Sequence, residues 1–281
     1  MSISFVVAPM QQRITLKAGE TYEGYITVTN PAAATEDFLY KAILSPYTVA
    51  GADYSPDFLN ESDWSRIVGW TKVEDTEGSL KPNETRKIKF SVKVPENAPA
   101  GGQYMAIRVS SNQPTSSDSG AAIQDVYELA AVIYANVEGE TVHEGKILNN
   151  TMAGFVAVGN PNTSVELSNN GNVHEVATTK ITIKDVFSGQ TILPTDDIEG
   201  SYESIIMPET TRTVTRDLDM LSALGIYEVT QEVDYMGEQS SITGIMVVCP
   251  IWFIALVVAT FLSVIGMFCY GRHLKHKKSK N

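Results

Sequence analysis

Cysteine is almost missing from this chain: of 281 residues only Cys249 and Cys269 carry a thiol, and both lie in the last 33. The body, residues 1–243, therefore encodes no disulfide framework, thiol nucleophile or cysteine-ligated zinc site. Histidine is nearly as scarce, with His143 and His174 the two in that body. Each opens a His-Glu pair, but neither has the second histidine that an HExxH helix places beside the first. A Gly-x-Ser-x-Gly elbow, a Walker loop and a Rossmann glycine fingerprint are likewise absent. Positive charge is short too: all 33 acids lie before Gly244 and five of the 21 bases after it, leaving the body at −17. Such a body repels a phosphate backbone, which argues against nucleic acid as a partner.

Charge of either sign disappears from Ile245 to Tyr270, 26 residues, where about 20 span a hydrocarbon layer. The stretch reads as a transmembrane helix over 244–271, with the lipid bilayer as its partner. Pro250 falls near the first turn, where a missing amide hydrogen costs little, and Trp252 and Tyr270 stand near the two ends like an aromatic belt. The tail, 272–281, holds Arg272, Lys275, Lys277, Lys278 and Lys280, whereas Val229 to Thr243 holds no base. That asymmetry predicts a cytoplasmic tail and an external body. The opening MSISFVVAPM has no basic start, apolar stretch or small-residue cleavage site, so the expectation is that a secretion signal was already removed. Leu193-Pro194-Thr195-Asp196-Asp197 approaches a wall-sorting LPxTG motif but lacks its glycine and lies about 50 residues too early. The helix is thus expected to be a permanent anchor. Ala255, Ala259 and Ser263, four apart, offer a small-residue stripe for helix–helix contact, and Cys269 a possible acylation point.

The body alternates as strands do. In Lys87-Ile88-Lys89-Phe90-Ser91-Val92-Lys93-Val94 apolar residues hold every second place and the lysines face water. Similar runs are Ile3–Ala8, Arg13–Leu16, Gly24–Thr29, Phe38–Leu44, Gln103–Val109 and Val126–Val137, separated by turn residues such as Lys17-Ala18-Gly19-Glu20, Asn30-Pro31 and Lys81-Pro82-Asn83. No long 3.6-residue period interrupts them. Ser110 to Gly120 has linker composition but is read as a loop, because Val126–Val137 is too apolar to stand outside the first sheet. A second series follows: Gly154–Val158, Thr163–Leu167, Lys180–Val186, Thr211–Thr215 and Gly225–Tyr235, broken at Asn169-Asn170-Gly171-Asn172 and Phe187-Ser188-Gly189-Gln190. The prediction is a mainly β chain: two immunoglobulin-like antiparallel sandwiches over 1–142 and 143–243, then one transmembrane helix.

Chemistry is thin. Asp196-Asp197 with Glu199, or Asp53, Asp57 and Asp63, place carboxylates on loops, where a glycosidase pair or a calcium site could be built. With 33 acids such groupings arise without function, and the reading is of a non-enzyme with no cofactor and no metal. Four N-x-S/T sequons, at Asn60, Asn83, Asn149 and Asn162, are read as chance occurrences. Aromatic residues gather in one connection, with Tyr47, Tyr54, Phe58, Trp64 and Trp70 between two strands. Tyr47, Tyr54, Trp64 and Trp70 are the candidate ligand-binding residues, since loops carry binding and ring faces suit sugars or a protein; capping of the sandwich core is the alternative role.

Lys93-Val94-Pro95-Glu96-Asn97-Ala98-Pro99-Ala100-Gly101-Gly102-Gln103-Tyr104 resembles the turn and strand of the first domain in the WxL-interacting protein family of Gram-positive bacteria. Val7-Ala8-Pro9, Ala18-Gly19-Glu20, Val28-Thr29-Asn30-Pro31 and Leu80-Lys81-Pro82-Asn83-Glu84-Thr85 fit in the same order. Pro95, Pro99, Gly101, Gly102 and Tyr104 carry the motif. The resemblance implies a peptidoglycan-binding first domain, a second domain proposed to bind host components, and association with WxL-type wall proteins. Lacking any Trp-x-Leu, this chain would be their membrane-bound partner. The expected function is a membrane-anchored, non-catalytic surface protein that binds peptidoglycan or another surface protein. A wall hydrolase using loop carboxylates and a ligand-free stalk are the competing readings.

Overall fold

The computed structural model describes residues 5–51, 53–111, 127–192, 201–221 and 224–278, with residues 271–278 as backbone alone. It divides the chain into two compact units. The first comprises Met1–Gly145 with Ser168–Glu175 and Ile205–Arg212; the second comprises Lys146–Leu167, Val176–Ser204 and Thr213–Asn281.

The first unit is built from β1 (Val6–Ala8), β2 (Gln11–Leu16), β3 (Thr21–Thr29), β4 (Phe38–Pro46), β5 (Thr48–Ala50), β6 (Ser55–Asp57), β7 (Thr71–Val73), β8 (Glu77–Leu80), β9 (Thr85–Lys93), β10 (Gly101–Ser111) and β11 (Glu128–Val137). One sheet has the order β1-β3-β9-β7 and the other β2-β11-β10-β4-β8, while β5 and β6 form a small hairpin. Pairing is antiparallel except that β2 runs parallel to β11. This is an immunoglobulin-like sandwich. The alternation in β9 explains its place: Ile88, Phe90 and Val92 are at most 1% exposed, and Lys87, Lys89 and Lys93 face out. Each such apolar side chain contributes about 1.5–3 kcal/mol through burial. From the opposite sheet Met105, Ile107, Ile133 and Val137 complete the core. Two turns carry the geometry the sequence predicts: Gly19 has φ +79 where Glu20 N donates to Lys17 O at 3.1 Å, and Asn83 has φ +66 between Lys81 and Glu84. Asn30 does more than turn the chain. Buried at 2% exposure, its Nδ2 donates to Leu80 O at 2.9 Å and Glu36 O at 3.0 Å, tying two loops together.

The remaining elements are β12 (Gly145–Met152), β13 (Phe155–Val156), β14 (Asn162–Asn169), β15 (Glu175–Asp185), β16 (Thr191–Ile192), β17 (Ser201–Ile206), β18 (Thr210–Asp217), β19 (Gly225–Tyr235), β20 (Glu238–Val248) and the helix α1 (Ile251–Lys278). Their sheets have the orders β12-β14-β18 and β13-β20-β19-β15-β16, with β17 also paired to β15. Ile181, Ile183, Leu218, Tyr227, Val229 and Met246 form the core of the second unit. Met236 and Gly237, at φ +54 and +80, close the β19–β20 hairpin as a two-residue turn whose twist suits the flanking strands.

That hairpin corrects the start of the helix. Ile245, Met246, Val247 and Val248 are the end of β20, paired with β19 from Gly225 to Glu228, and are not helical. Apolar residues without charge satisfy a buried strand as well as a helix, and only the register with β19 separates the two. Helical hydrogen bonding begins at Pro250, whose carbonyl accepts from Phe253 N at 2.9 Å. Ile251–Tyr270 remains, 20 residues long and apolar enough to cross a membrane, with none of it buried. The loop read at 110–120 and the near-sorting motif at 193–197 lie almost wholly outside the described residues, as does Lys280.

Candidate functional site

The described residues of the connection from Tyr47 to Trp70 form an ordered platform. After the β5–β6 hairpin the chain enters a 3-10 helix, Asp63–Trp70. One hydroxyl closes its first turn: Ser65 Oγ accepts from Ser62 N at 2.8 Å and donates to Ser62 O at 3.0 Å. From β10 the buried Gln103 holds it at two points. Its Oε1 accepts from Ile67 N at 3.2 Å and its Nε2 donates to Asp63 O at 3.1 Å. Nothing in the sequence marks Gln103 for this role, because a lone glutamine in a strand is ordinary until its partners are known.

Of the four candidate rings, Tyr47 and Tyr54 are buried at 8% and 9% exposure. Tyr47 accepts a hydrogen bond from the Tyr134 hydroxyl at 3.2 Å and lies edge-on to that ring at 5.7 Å. The Tyr54 hydroxyl accepts from Met207 N at 3.1 Å, pairs with Thr210, and its ring carries the Arg212 guanidinium at 4.7 Å. Burial raises the pKa of both phenols, so they stay neutral hydrogen-bonding groups. Trp70 is half-buried and packs on the sandwich core. Trp64 is also half-buried, and Leu59 nearby in the same connection is 82% exposed.

The motif turn lies against another segment of the same unit. Gly101 has φ +112, and a Cβ there would stand 2.4 Å from the carbonyl oxygen of Asn172. Gly102 N donates to that oxygen at 2.7 Å, and a Cβ on Gly102 would meet the Tyr104 hydroxyl. Gly101 is therefore required by its positive φ and its close approach to backbone, whereas at Gly102 the neighbour is the buried Tyr104 side chain. Asn172 is held in turn, its Oδ1 accepting from Val142 N at 2.8 Å. Asn169, fully buried, spans the segment by donating to Val173 O at 2.8 Å and Ile206 O at 3.0 Å. The Asn-rich phrase that reads as a strand break is thus a docked loop. It sets His174 against the Tyr104–Tyr134 pair, its ring centroid 5.7 Å and 5.3 Å from theirs. Burial, with the Arg13 charge as a smaller cause, pushes His174 down to about 4, so it is neutral near pH 7. Pro95 accepts from Ala98 N at 3.1 Å and Pro99 completes the bend before β10.

The acids of the platform bond to neighbouring groups of the platform itself. Asp57 accepts from Asn60 Nδ2 at 2.6 Å and Leu59 N at 2.9 Å, which holds its carboxyl below the usual range, opposite to what a general acid needs. Asp53 accepts from Ser55 Oγ at 2.7 Å, and Asp63 pairs with Arg66. His143 is engaged by Glu175 at 2.6 Å. Among the described residues no group of three or more His, Cys, Asp or Glu side chains could hold a metal ion. Asp196, Asp197 and Glu199 lie outside the described residues.

On α1 the side chains of Trp252 and Tyr270 are 61% and 65% exposed, and Ala255, Ala259 and Ser263 are exposed along it. Ser263 Oγ donates to Ala259 O at 2.9 Å, a local bond that leaves the small-residue stripe without a partner helix among the described residues. Arg272, Lys275, Lys277 and Lys278 continue the helix backbone.

No family model and no curated protein matches the chain. Among solved structures it is similar to the class 5 fimbriae chaperone CfaA, at 13% identity over 87% of this chain and 99% of that one, with a TM-score of 0.40. It is also similar to the YadV chaperone, at 10% identity over 85% and 99%, TM-score 0.42, and to the E. coli chaperone DraB, at 12% over 86% and 98%, TM-score 0.41. At such scores the fold assignment rests on the strand pairing described above.

Proposed function

We propose that this chain is a non-catalytic surface protein, held in a membrane by α1 with its β units outside, that binds peptidoglycan or a WxL-type surface protein. The observation that carries the reading is α1. Ile251–Tyr270 follows β20 after two residues and has none of its apolar surface covered. In water such a surface costs about 25 cal/mol for every Å² left uncovered, and a bilayer removes that cost. The five bases beyond Tyr270 support a cytoplasmic tail. A non-catalytic role is supported by the Asn60 side-chain and Leu59 backbone bonds that occupy Asp57 and by its lowered pKa. For the ligand we assign the platform of Trp64, Trp70 and Leu59. Its 3-10 helix is fixed by Gln103 before any partner arrives, so little ordering is lost on binding.

Full-length protein in detergent micelles, mixed with purified peptidoglycan and sedimented, tests the ligand. The parent should pellet with the glycan and Trp64→Ala should lose at least fivefold of the pelleted fraction at unchanged melting temperature. A parent that stays in the supernatant overturns the peptidoglycan reading. Release of soluble glycan fragments would instead establish a hydrolase. Protease added to wall-stripped cells tests topology: the body should be digested and the tail spared, and a protected body overturns the external reading.

A further inference from the structure

We infer that the outer face of the β1-β3-β9-β7 sheet binds a linear polyol-phosphate chain along a file of four lysines. This goes beyond the platform described above, which lies on other elements. The pairing register sets the file. Lys87 stands opposite Thr27, Lys89 opposite Tyr25, Lys72 and Glu23 both opposite Ser91, and Lys93 opposite Thr21. Directly opposed residues share a face, so four successive same-face rows carry one lysine each, at a repeat of about 6.8 Å. All four are exposed, and among the described residues none is within ion-pair distance of a carboxylate. A body carrying 33 acids against 16 bases has no need of lysines at this density for solubility. Protection of a sheet edge accounts for Lys72 alone, on the edge strand β7; Lys87, Lys89 and Lys93 lie on β9, between β3 and β7.

The shape of the charge selects the ligand. Glu23 and Glu74 flank the two middle rows beside an open hollow of about 380 Å³, also lined by Tyr25, Lys89 and Ser91. Lys87, Lys89 and Lys93 along β9 with Lys72 one strand away, bordered by two carboxylates, make a narrow band, which accepts one chain of spaced anions and disfavours a flat anionic membrane. Tyr25 already carries the Lys87 ammonium, 4.4 Å from its ring centroid. Tyr25, the aromatic side chain of these rows, is thus engaged on one face by a cation, and a flexible phosphodiester of acyclic polyol units, which needs no stacking surface, matches spaced ammonium groups better than nucleic acid or a uronic-acid glycan. Lysine serves phosphate as a point charge with three donors, and its flexible stem can follow the sheet's twist.

The test uses full-length protein in phosphatidylcholine nanodiscs and a labelled synthetic poly(glycerol phosphate), read by fluorescence anisotropy. Binding should weaken steadily with added salt. The fourfold change K72Q/K87Q/K89Q/K93Q should reduce affinity at least tenfold. An equal change elsewhere, K41Q/K146Q/K180Q/K184Q, should reduce it less than threefold. Should the first variant melt early, K87Q/K93Q makes the same comparison with two sites. Absence of binding at low salt, or equal loss in the two fourfold variants, overturns the proposal. So does equal affinity for single-stranded DNA or polygalacturonate of matched charge, or displacement of the probe by phosphatidylglycerol vesicles.

Discussion

Ile88 and Val92 on β9 are 0% exposed, whereas Val258 and Leu262, of the same chemical kind, are 51% and 61% exposed along α1. Both segments are apolar, yet one finds its cover in the opposite sheet and the other has none within the described chain. The difference lies in periodicity. Polar residues at every second place give β9 one wet face and one dry face, while α1 is apolar on all sides and offers no polar stripe to turn toward water. A segment of the first kind is completed by the protein's own fold, and one of the second kind by its surroundings.

Two substitutions should separate these covers. Phe90→Ala empties a fully sealed position and should destabilise the first unit by about 3–5 kcal/mol, read as a lowered denaturant midpoint, while membrane retention is unchanged. Val258→Arg should do the reverse. A charge near the centre of a spanning helix costs about 2.5–3.5 kcal/mol of insertion, so the protein should leave the membrane fraction while its β units keep their midpoint. If Val258→Arg left fractionation unaltered, α1 would not be a membrane segment.

How far the sequence discloses this architecture depends on the range of the deciding contact. The lysine–apolar alternation of β9 and the turn at Gly19 are local, and both are legible directly. The boundary between β20 and α1 is not, because Ile245 to Val248 look the same in either element until the register with β19 is known. The short strands β5 to β8 also escape, since three or four residues hold no period. At the candidate site, the aromatic density of 47–70 is plain in the sequence. What it does not disclose is that Tyr47 and Tyr54 spend their hydroxyls on Tyr134 and Met207, partners 87 and 153 positions away. Gln103 and Asn169 act through contacts of the same long range, and no local pattern announces them.

Glycine gives a finer test of sealed against open surroundings. Gly101 combines φ +112 with a backbone oxygen 2.4 Å from its absent Cβ, and backbone cannot swing aside as a side chain can. Gly101→Val should cost toward the upper end of about 1–3 kcal/mol. Gly154 has nothing within 4 Å, and Gly154→Val should stay within about 0.5 kcal/mol of the parent. Equal melting temperatures for the two variants would show that the Asn172 loop does not pack against the turn.

The smallest effect expected concerns His174, which is neither sealed like Phe90 nor open like Gly154. Its folded pKa, lowered to about 4 from the ordinary 6.5 chiefly by burial, means that the unfolded chain takes up a proton first as pH falls. Stability is therefore indifferent to this group above about pH 6.5 and declines between pH 6.5 and 4, where the unfolded state holds the extra proton. Partial solvent access screens the effect, leaving roughly 1–2 kcal/mol lost by pH 4.5. Asp57, Glu84 and Asp185, whose carboxyls are held below their ordinary values, lose their contributions only at lower pH, so the upper part of the window belongs to His174. His174→Gln should flatten the decline between pH 6.5 and 4.5 in urea titrations of the full-length protein in detergent. A parent whose midpoint does not move over that interval would mean that the imidazole is solvated, and that Tyr104 and Tyr134 do not pack against it.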